Sequence, residues 1–464
     1  MEAIILYSKL LNRTIYLLII LLLVLSPLPI GSVKPASILI LQILSFFIFI
    51  LWLLKSITEG RKPFVSAKPY LPLLIFFILC LFQTVPLPSS ILELLSGKSL
   101  EIWESTRSVL TDIGSASNTK LFTISVYPNA TLKKTLLLLS YLVFGIVVSR
   151  SFRQARTLNL AIFPIFAVMV IESALGISQY LFSGGDEVAS GTFINRNHFA
   201  GFLEICFPLA LGYVLSMGDW SKSNKKSFLR RLVSSDNAQK QTLFLFLLGV
   251  VLLSIILSES RGGIFSMVVS LLFFSLVSSR FLRKGIEIKW MIYAVLAVAL
   301  FFGVYIGLYP ILERYLLMEG DLPSRTLVWK DIIRIIKDFP LFGTGLGTFG
   351  YVYPLYKVSV LDPIVYIYSH NDYLQILAET GLAGFLSLMF ALALFVLSSI
   401  RNLVRLSTEQ HYSRFFLLLG ALTGIFSILI HSFVDFNLQI PSNGLYFAFL
   451  IGFSVALGSG RENE

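Results

Sequence analysis

Three short stretches hold residues able to act on a charged, hydroxyl-bearing substrate. "GTFINRNHFAG" carries Arg196 among Asn195, Asn197 and His198. "SESRGG" carries Arg261 ahead of two glycines. "YSHNDYLQILAETGLAGF" carries His370, Asn371 and Asp372, with Gln375 and Glu379 one helical turn apart below them. A guanidinium presents a planar fork of N–H donors that suits bidentate binding of phosphate. Two glycines after Arg261 would let a diphosphate approach the backbone. The plain alternative for either arginine is an interfacial side chain whose head snorkels to lipid headgroups. The three polar neighbours of Arg196 exceed what that requires. An imidazole, with a free pKa of about 6.5, is a natural proton acceptor for a hydroxyl nucleophile. Around His370 run Tyr351, Tyr353, Tyr356, Tyr366, Tyr368 and Tyr373. Such a cluster suits sugar binding by stacking and hydroxyl hydrogen bonds, although aromatics at a membrane boundary also form belts.

The remaining polar groups have plainer readings. His198 reads as a structural hydrogen-bonding residue, and His411 as a bland loop histidine. His431 could pair with Asp435 in "HSFVDF". Gln375 and Glu379 read first as structural pairing, with partnership to the arginines or a proton path as alternatives. Arg325, in a loop, is a candidate third anion ligand. No His, Cys, Asp or Glu spacing fits a zinc or two-metal site, so no metal and no cofactor are expected. "GTGLGTFG" at 343–350 imitates a phosphate-binding glycine loop, but no strand precedes it and no clear helix is expected after it. A tight loop that brings the backbone close to a neighbour is the preferred reading. "NAT" at 129–131 is a formal glycosylation sequon with no role assigned.

The elements that must position these groups are apolar. Of 464 residues, 56% are hydrophobic and 14% charged, and the mean hydropathy is +0.81. Apolar runs of about 17–25 residues recur, each long enough for roughly 30 Å of hydrocarbon. The fold class expected is an all-α integral membrane protein, a single polytopic domain over 1–464. Twelve spans are expected at about 14–31, 36–54, 69–87, 132–149, 158–182, 198–216, 242–258, 263–279, 288–309, 372–399, 415–433 and 441–458. The first lacks a small-residue cleavage site and is read as retained. Short alternating strands of a membrane barrel are not seen. Cys80 and Cys206 fall within apolar runs and suggest neither a disulfide framework nor a metal site.

The net charge of +11 points to topology rather than nucleic acid. Lys55, Arg61, Lys62, Lys68, Arg150, Arg153, Arg156, the run from Lys222 to Lys240, Arg280, Arg283, Lys284, Lys289, Arg401, Arg405 and Arg414 all fall on one alternating set of loops. The positive-inside rule puts that side, and both termini, in the cytoplasm. Arg196, Arg261 and His370 then lie at helix mouths on the opposite, periplasmic face. Two longer loops are expected there, 88–131 and 310–371. In the second, "SRTLVWKDIIRIIKDF" has apolar residues at 328, 332, 335, 336 and 339, the spacing of an amphipathic helix from Ser324 to Phe339 that Pro340 ends. Its place would be on the membrane surface or capping the bundle. Acceptor specificity is expected in this loop. "LFTISVYPNATLKKT" reads as a short extended piece leading into the fourth span.

Taken in order, "SGTFINRNHFAGFL", "SRGG", "SRTLVWKDIIRIIKDFPLFGTGLGTFG", "SHNDYLQILAETGLAGF" and "HSFVDF" resemble the O-antigen ligase / O-antigen polymerase superfamily, most densely over about 185–440. The resemblance implies a metal-independent, inverting glycosyltransferase of the bacterial inner membrane. Its donor would be a glycan on undecaprenyl diphosphate, presented at the periplasmic face. Its acceptor would be lipid A core for a ligase, or a growing glycan for a polymerase; related transferases glycosylate protein. By resemblance Arg196 and Arg261 would bind the diphosphate, with Arg325 a weaker match. His370 would activate the acceptor hydroxyl, with Asn371, Tyr368 and Tyr373 as glycan-binding neighbours. Two other classes compete. A lipid-linked-sugar flippase or transporter should show internal repeats and mid-membrane polar groups, whereas here the unusual polar groups gather at one face. A structural assembly partner gives no reason for Arg, Arg and His at three helix mouths.

Overall fold

A computed structural model describes residues 2–60, 71–112, 121–153, 155–218, 238–281, 297, 321–360 and 363–459. In chain order the elements are α1 (Glu2–Leu25), α2 (Pro35–Thr58), α3 (Leu71–Phe82), β1 (Leu87–Pro88), α4 (Ser89–Asp112), β2 (Leu121–Phe122), α5 (Pro128–Ser151), α6 (Ala155–Phe182), α7 (Arg196–Ser216), α8 (Ala238–Leu257) and α9 (Arg261–Phe281), then α10 (Asp321–Asp338), α11 (Phe349–Tyr356), α12 (Asp372–Thr408), α13 (Tyr412–His431) and α14 (Pro441–Ser459). Among the described residues ten helices are long and apolar enough to cross a membrane: α1, α2, α5 to α9, and α12 to α14. They coincide with ten of the twelve expected spans. The third expected span meets the shorter apolar helix α3. The ninth, about 288–309, lies outside the described residues, as do Arg61, Lys62, Lys68, Lys222 to Arg231, Arg283, Lys284, Lys289 and residues 310–320 of the expected long loop.

The chain divides into two compact units. The first comprises Met1–Pro63, Ser140–Leu317 and Ser398–Glu464. Its centre is α7, buried along nearly its whole length and packed on α13, with α6, α8, α9 and α14 around it. Small residues allow the closest approach, since a Cβ on Gly212 would strike the Phe416 carbonyl and one on Gly420 that of Pro208. Lipid tails are as apolar as leucine, so close van der Waals packing of this kind is what holds membrane helices together.

The second unit comprises Phe64–Leu139 and Met318–Leu397. The expected amphipathic helix is present as α10, beginning at Asp321 rather than Ser324. Val328, Ile332, Ile335 and Phe339 are buried with Phe349, Val352 and Tyr353 of α11, while Lys330, Arg334 and Lys337 point outward. The apolar face, expected on the membrane surface or capping the bundle, is covered by protein. Buried Asp331 fixes the chain after α11 by accepting from Ser359 N at 3.1 Å and Ser359 Oγ at 2.7 Å. The extended piece expected near residue 121 pairs antiparallel with Leu87–Pro88. α4 is an addition to the sequence reading. It is broken at Ser96, whose φ is −161°, and buries Leu92 and Leu100 with Phe122 and Ile124.

Candidate functional site

In the first unit Arg196 opens α7 and Arg261 opens α9. Asn195 caps α7, its side chain accepting from Asn197 N at 2.8 Å. The segment before it is held by α6. Glu172 accepts from Thr192 N at 2.9 Å and Thr192 Oγ1 at 2.8 Å, and Gln179 Oε1 accepts from Gly191 N at 2.9 Å. The turn before α9 is built from its own hydroxyls: Ser258 Oγ accepts from Ser260 N, and Ser260 Oγ from Gly263 N, each at 3.2 Å. Between these serines Glu259 adopts a left-handed backbone, φ +52°, and its Oε2 lies 3.6 Å from Arg196 Nη1. That pair ties the first turn of α7 to the segment carrying Arg261. Both arginines are the first residues of their helices, where the backbone already presents positive charge. The cost of placing cations there is offset in part by Glu259, and the same arrangement favours an anion.

Gly262 and Gly263, expected to admit a diphosphate, have a packing role. A Cβ on Gly262 would lie 2.6 Å from His431 Nε2, and one on Gly263 2.7 Å from the Ala200 Cβ. Below them is a buried polar tier. Beside the possible His431–Asp435 pair read from the sequence, His431 Nδ1 meets Glu204 Oε1 at 2.8 Å. Asp435 accepts from Asn197 Nδ2 at 2.6 Å and lies 3.8 Å from His198 Nε2. His431 ends α13 and reaches across to α7, whereas the turn that follows carries Asp435 back to the start of α7. Local spacing along the chain could not reveal either partner.

In the second unit the glycine-rich loop is closed. Gly343, Gly345 and Gly347 have φ of +71°, +109° and +78°. Every backbone N–H from 343 to 349 has a protein acceptor. Gly343 N donates to Phe339 O, Thr344 N to Ala378 O, Gly345 N to Glu379 O and Thr348 N to Gly345 O. Leu346 N donates to Gln83 Oε1 at 3.1 Å, Gly347 N to Glu379 Oε2 at 2.8 Å and Phe349 N to Glu379 Oε1 at 3.2 Å. No N–H remains for a phosphate, because the protein's own carboxylate occupies the anion position. The preferred tight-loop reading stands, although a helix, α11, does follow. Glu379, weighed as a partner for the arginines, is bound to this loop and to Gln375, whose Nε2 donates to Glu379 Oε1 at 3.1 Å.

His370 lies just ahead of α12 with a left-handed backbone, φ +54°. Buried Ser369 before it is fixed at each polar atom. Its N donates to Gln375 Oε1 at 3.1 Å, its O accepts from Trp329 Nε1 at 3.1 Å, and its Oγ donates to Asn371 O at 2.6 Å. Asn371 Oδ1 accepts from Leu374 N at 3.0 Å and caps α12. The Tyr366 ring stands edge-on to His370 at 6.5 Å and to Tyr353 at 5.8 Å. Tyr368 lies in the same segment, and burial raises its phenol above the ordinary value, with the charges of Glu379 and Asp372 adding to this. Tyr373 lies in the first turn of α12. Arg325 lies four residues before Trp329 on α10, and so shares the helix face that holds Ser369. Among the described residues no group of three His, Cys, Asp or Glu side chains is placed to hold a metal ion. A cavity of about 340 Å³ opens between α4, Asp338 and the end of α11. Its Tyr356 hydroxyl donates to Asp338 Oδ2 at 2.6 Å.

Arg196 and Arg261 thus belong to the first unit. His370, Asn371, Tyr368, Tyr373 and Arg325 belong to the second. Residues 244–389 match the family model Wzy_C, described as O-antigen ligase. The chain carries an O-antigen ligase-family domain. The match supports the O-antigen ligase / O-antigen polymerase superfamily and takes in Arg261, Arg325 and His370, while Arg196 lies before it. A comparison with curated proteins gives no match. The O-antigen ligase domain also contains the loop anchors Gln375 and Glu379, whereas Gln83, Glu172, Gln179 and Glu204, which sequence reasoning gave no role, lie outside it.

Proposed function

We propose that the protein is a periplasm-facing, inverting glycosyltransferase of the inner membrane, moving a glycan from undecaprenyl diphosphate to an acceptor hydroxyl, and that the acceptor is lipid A core. The observation that carries this reading is the mounting of His370. It sits in a left-handed backbone within the O-antigen ligase domain, beside a serine whose N, O and Oγ are all bonded. Such strain persists only where the surroundings over-determine it, and it collects at functional sites.

The roles follow from chemistry. Arg196 and Arg261 bind the donor diphosphate. As the bond between the anomeric carbon and the phosphate oxygen breaks, its electron pair passes to that oxygen, and the guanidiniums stabilise the growing charge. The acceptor oxygen attacks from the opposite face and inverts the configuration, while His370 takes its proton. Asn371, Tyr368 and Tyr373 hold the glycan near His370, and Arg325 is a further anion ligand. Acceptor choice resides in the long loop, and the cavity lined by Lys98, Glu101, Asp338 and Tyr356 offers the carboxylates and aromatic ring that suit sugar hydroxyls. No metal takes part. The domain organisation proposed is one polytopic membrane domain with periplasmic loop regions 88–131 and 310–371.

The test is reconstitution with an undecaprenyl-diphosphate-linked glycan in EDTA, with and without lipid A core. Core-dependent product that is lost in Arg261→Ala and His370→Ala supports the ligase. Longer lipid-linked chains without core would make the protein a polymerase. Movement of donor across liposomes with no transfer to any acceptor would replace both with a flippase.

A further inference from the structure

We infer that Gln375 and Glu379 are positioning residues for His370, joining the backbone before His370 to the closed glycine loop. The inference rests on the reading of His370 as the proton acceptor. The connection is continuous. Gly347 N and Phe349 N donate to the two oxygens of Glu379. Gln375 Nε2 donates to Glu379 Oε1, and Gln375 Oε1 accepts from Ser369 N. Gln375 and Glu379 are one turn apart on α12, and both are buried, as is Ser369.

Three features make this more than a packing contact. A carboxylate within an apolar helix is costly unless fully satisfied, and here three N–H groups converge on it. The left-handed backbone of His370 must be imposed from outside, because a residue with a Cβ avoids it. Gln375 is also bifunctional in the needed sense: its oxygen holds the residue before His370, and its nitrogen holds the anchored carboxylate. The imidazole direction is therefore set by a rigid loop rather than by the exposed chain at Ile364, Val365 and Ile367.

Gln375→Met keeps the side chain's length and cuts only this link, leaving both loop bonds to Glu379. Transfer should then fall about tenfold or more in kcat, as expected when a reacting group is misplaced. KM for donor and acceptor should stay within about threefold, and the melting temperature should fall, because Ser369 N and Glu379 each lose a buried partner. Glu379→Gln, which keeps the shape but can no longer accept from all three donors, should show the larger kcat loss. The deciding measurement repeats Gln375→Met in a His370→Ala background with radiolabelled donor. A residue that acts only through His370 causes no further loss there. An equal fractional loss in both backgrounds overturns the inference, as does full kcat in Gln375→Met while His370→Ala is inactive; both results leave the proposed function standing. Wild-type activity in His370→Ala overturns the proposed function, and this inference with it.

Discussion

At the scale of single residues, the proposed chemistry predicts different signatures for the cations and the imidazole. Arg261→Lys keeps the charge but loses the planar fork, so kcat/KM should fall by about tenfold or more, and by less than in Arg261→Ala. Equal activity of Lys and Arg would show that only charge is used. His370→Ala should lose on the order of 10²–10⁴-fold in kcat, the usual worth of general-base help, with folding intact by thermal melt. Tyr368 gives a pH prediction. Its phenol is raised first by burial, then by Glu379 and Asp372, so the folded state favours the neutral form. That contribution to stability is complete below the ordinary phenol value of about 10 and is lost as pH rises beyond it. Tyr368 is thus a hydroxyl donor at neutral pH. Tyr368→Phe should lower the rate without changing the shape of the pH–rate profile over about pH 6–9; a basic limb that vanishes in the variant would refute this. Arg196, Arg261 and His370 stand out in the sequence as candidates because charged and titratable types are rare in apolar surroundings. Their supports were not. Gln83 bonds to Leu346, 263 residues away, and Glu204 to His431, 227 residues away, and no local pattern records such pairs.

At the scale of elements, periodicity made α10 readable, since Val328, Ile332, Ile335 and Phe339 recur on one face. What covered that face was hidden, because an amphipathic pattern is the same whether lipid or protein lies against it. The glycine loop was readable as a tight turn for a similar reason, but its acceptors come from α12 and from Gln83. The closed loop makes a graded prediction. Gly343 has φ +71° and a Cβ there would strike the Glu379 carbonyl group, so Gly343→Ala combines backbone strain with a clash. It should destabilise by about 2 kcal/mol or more. Gly347→Ala meets the Lys134 Cβ at 2.8 Å with φ +78° and should be harmful by a similar mechanism. Gly350, just inside α11, has no left-handed backbone, and its nearest neighbour to an added Cβ is Ile367 Cα at 3.4 Å. Gly350→Ala should stay within about 0.5 kcal/mol of wild type. Thermal melts of the three variants in one detergent would check the order. Equal effects at 343 and 350 would mean that the loop is not held as described.

At the scale of the whole molecule, hydropathy located the ten helices of spanning length among the described residues, because the bilayer admits few backbone solutions and each needs a long apolar run. Orientation is a separate inference, carried by the lysines and arginines near Lys55, Arg150, Arg280 and Arg405. It has a direct consequence for where chemistry occurs, since a donor presented at the periplasmic face can be used only if His370 faces that side. The native thiols, Cys80 and Cys206, are both buried, so a single introduced cysteine would report with little background. Ser108→Cys on α4 and Val365→Cys ahead of His370 replace exposed residues, as do Thr58→Cys at the end of α2 and Thr408→Cys at the end of α12. In intact cells with a permeable outer membrane, an impermeant maleimide should label positions 108 and 365 and spare 58 and 408 until the inner membrane is opened. The reverse pattern would put His370 in the cytoplasm and remove the periplasmic transferase reading, whatever the variants did in detergent. Labelling of all four in sealed cells would instead break the alternation of loops from which the orientation was drawn.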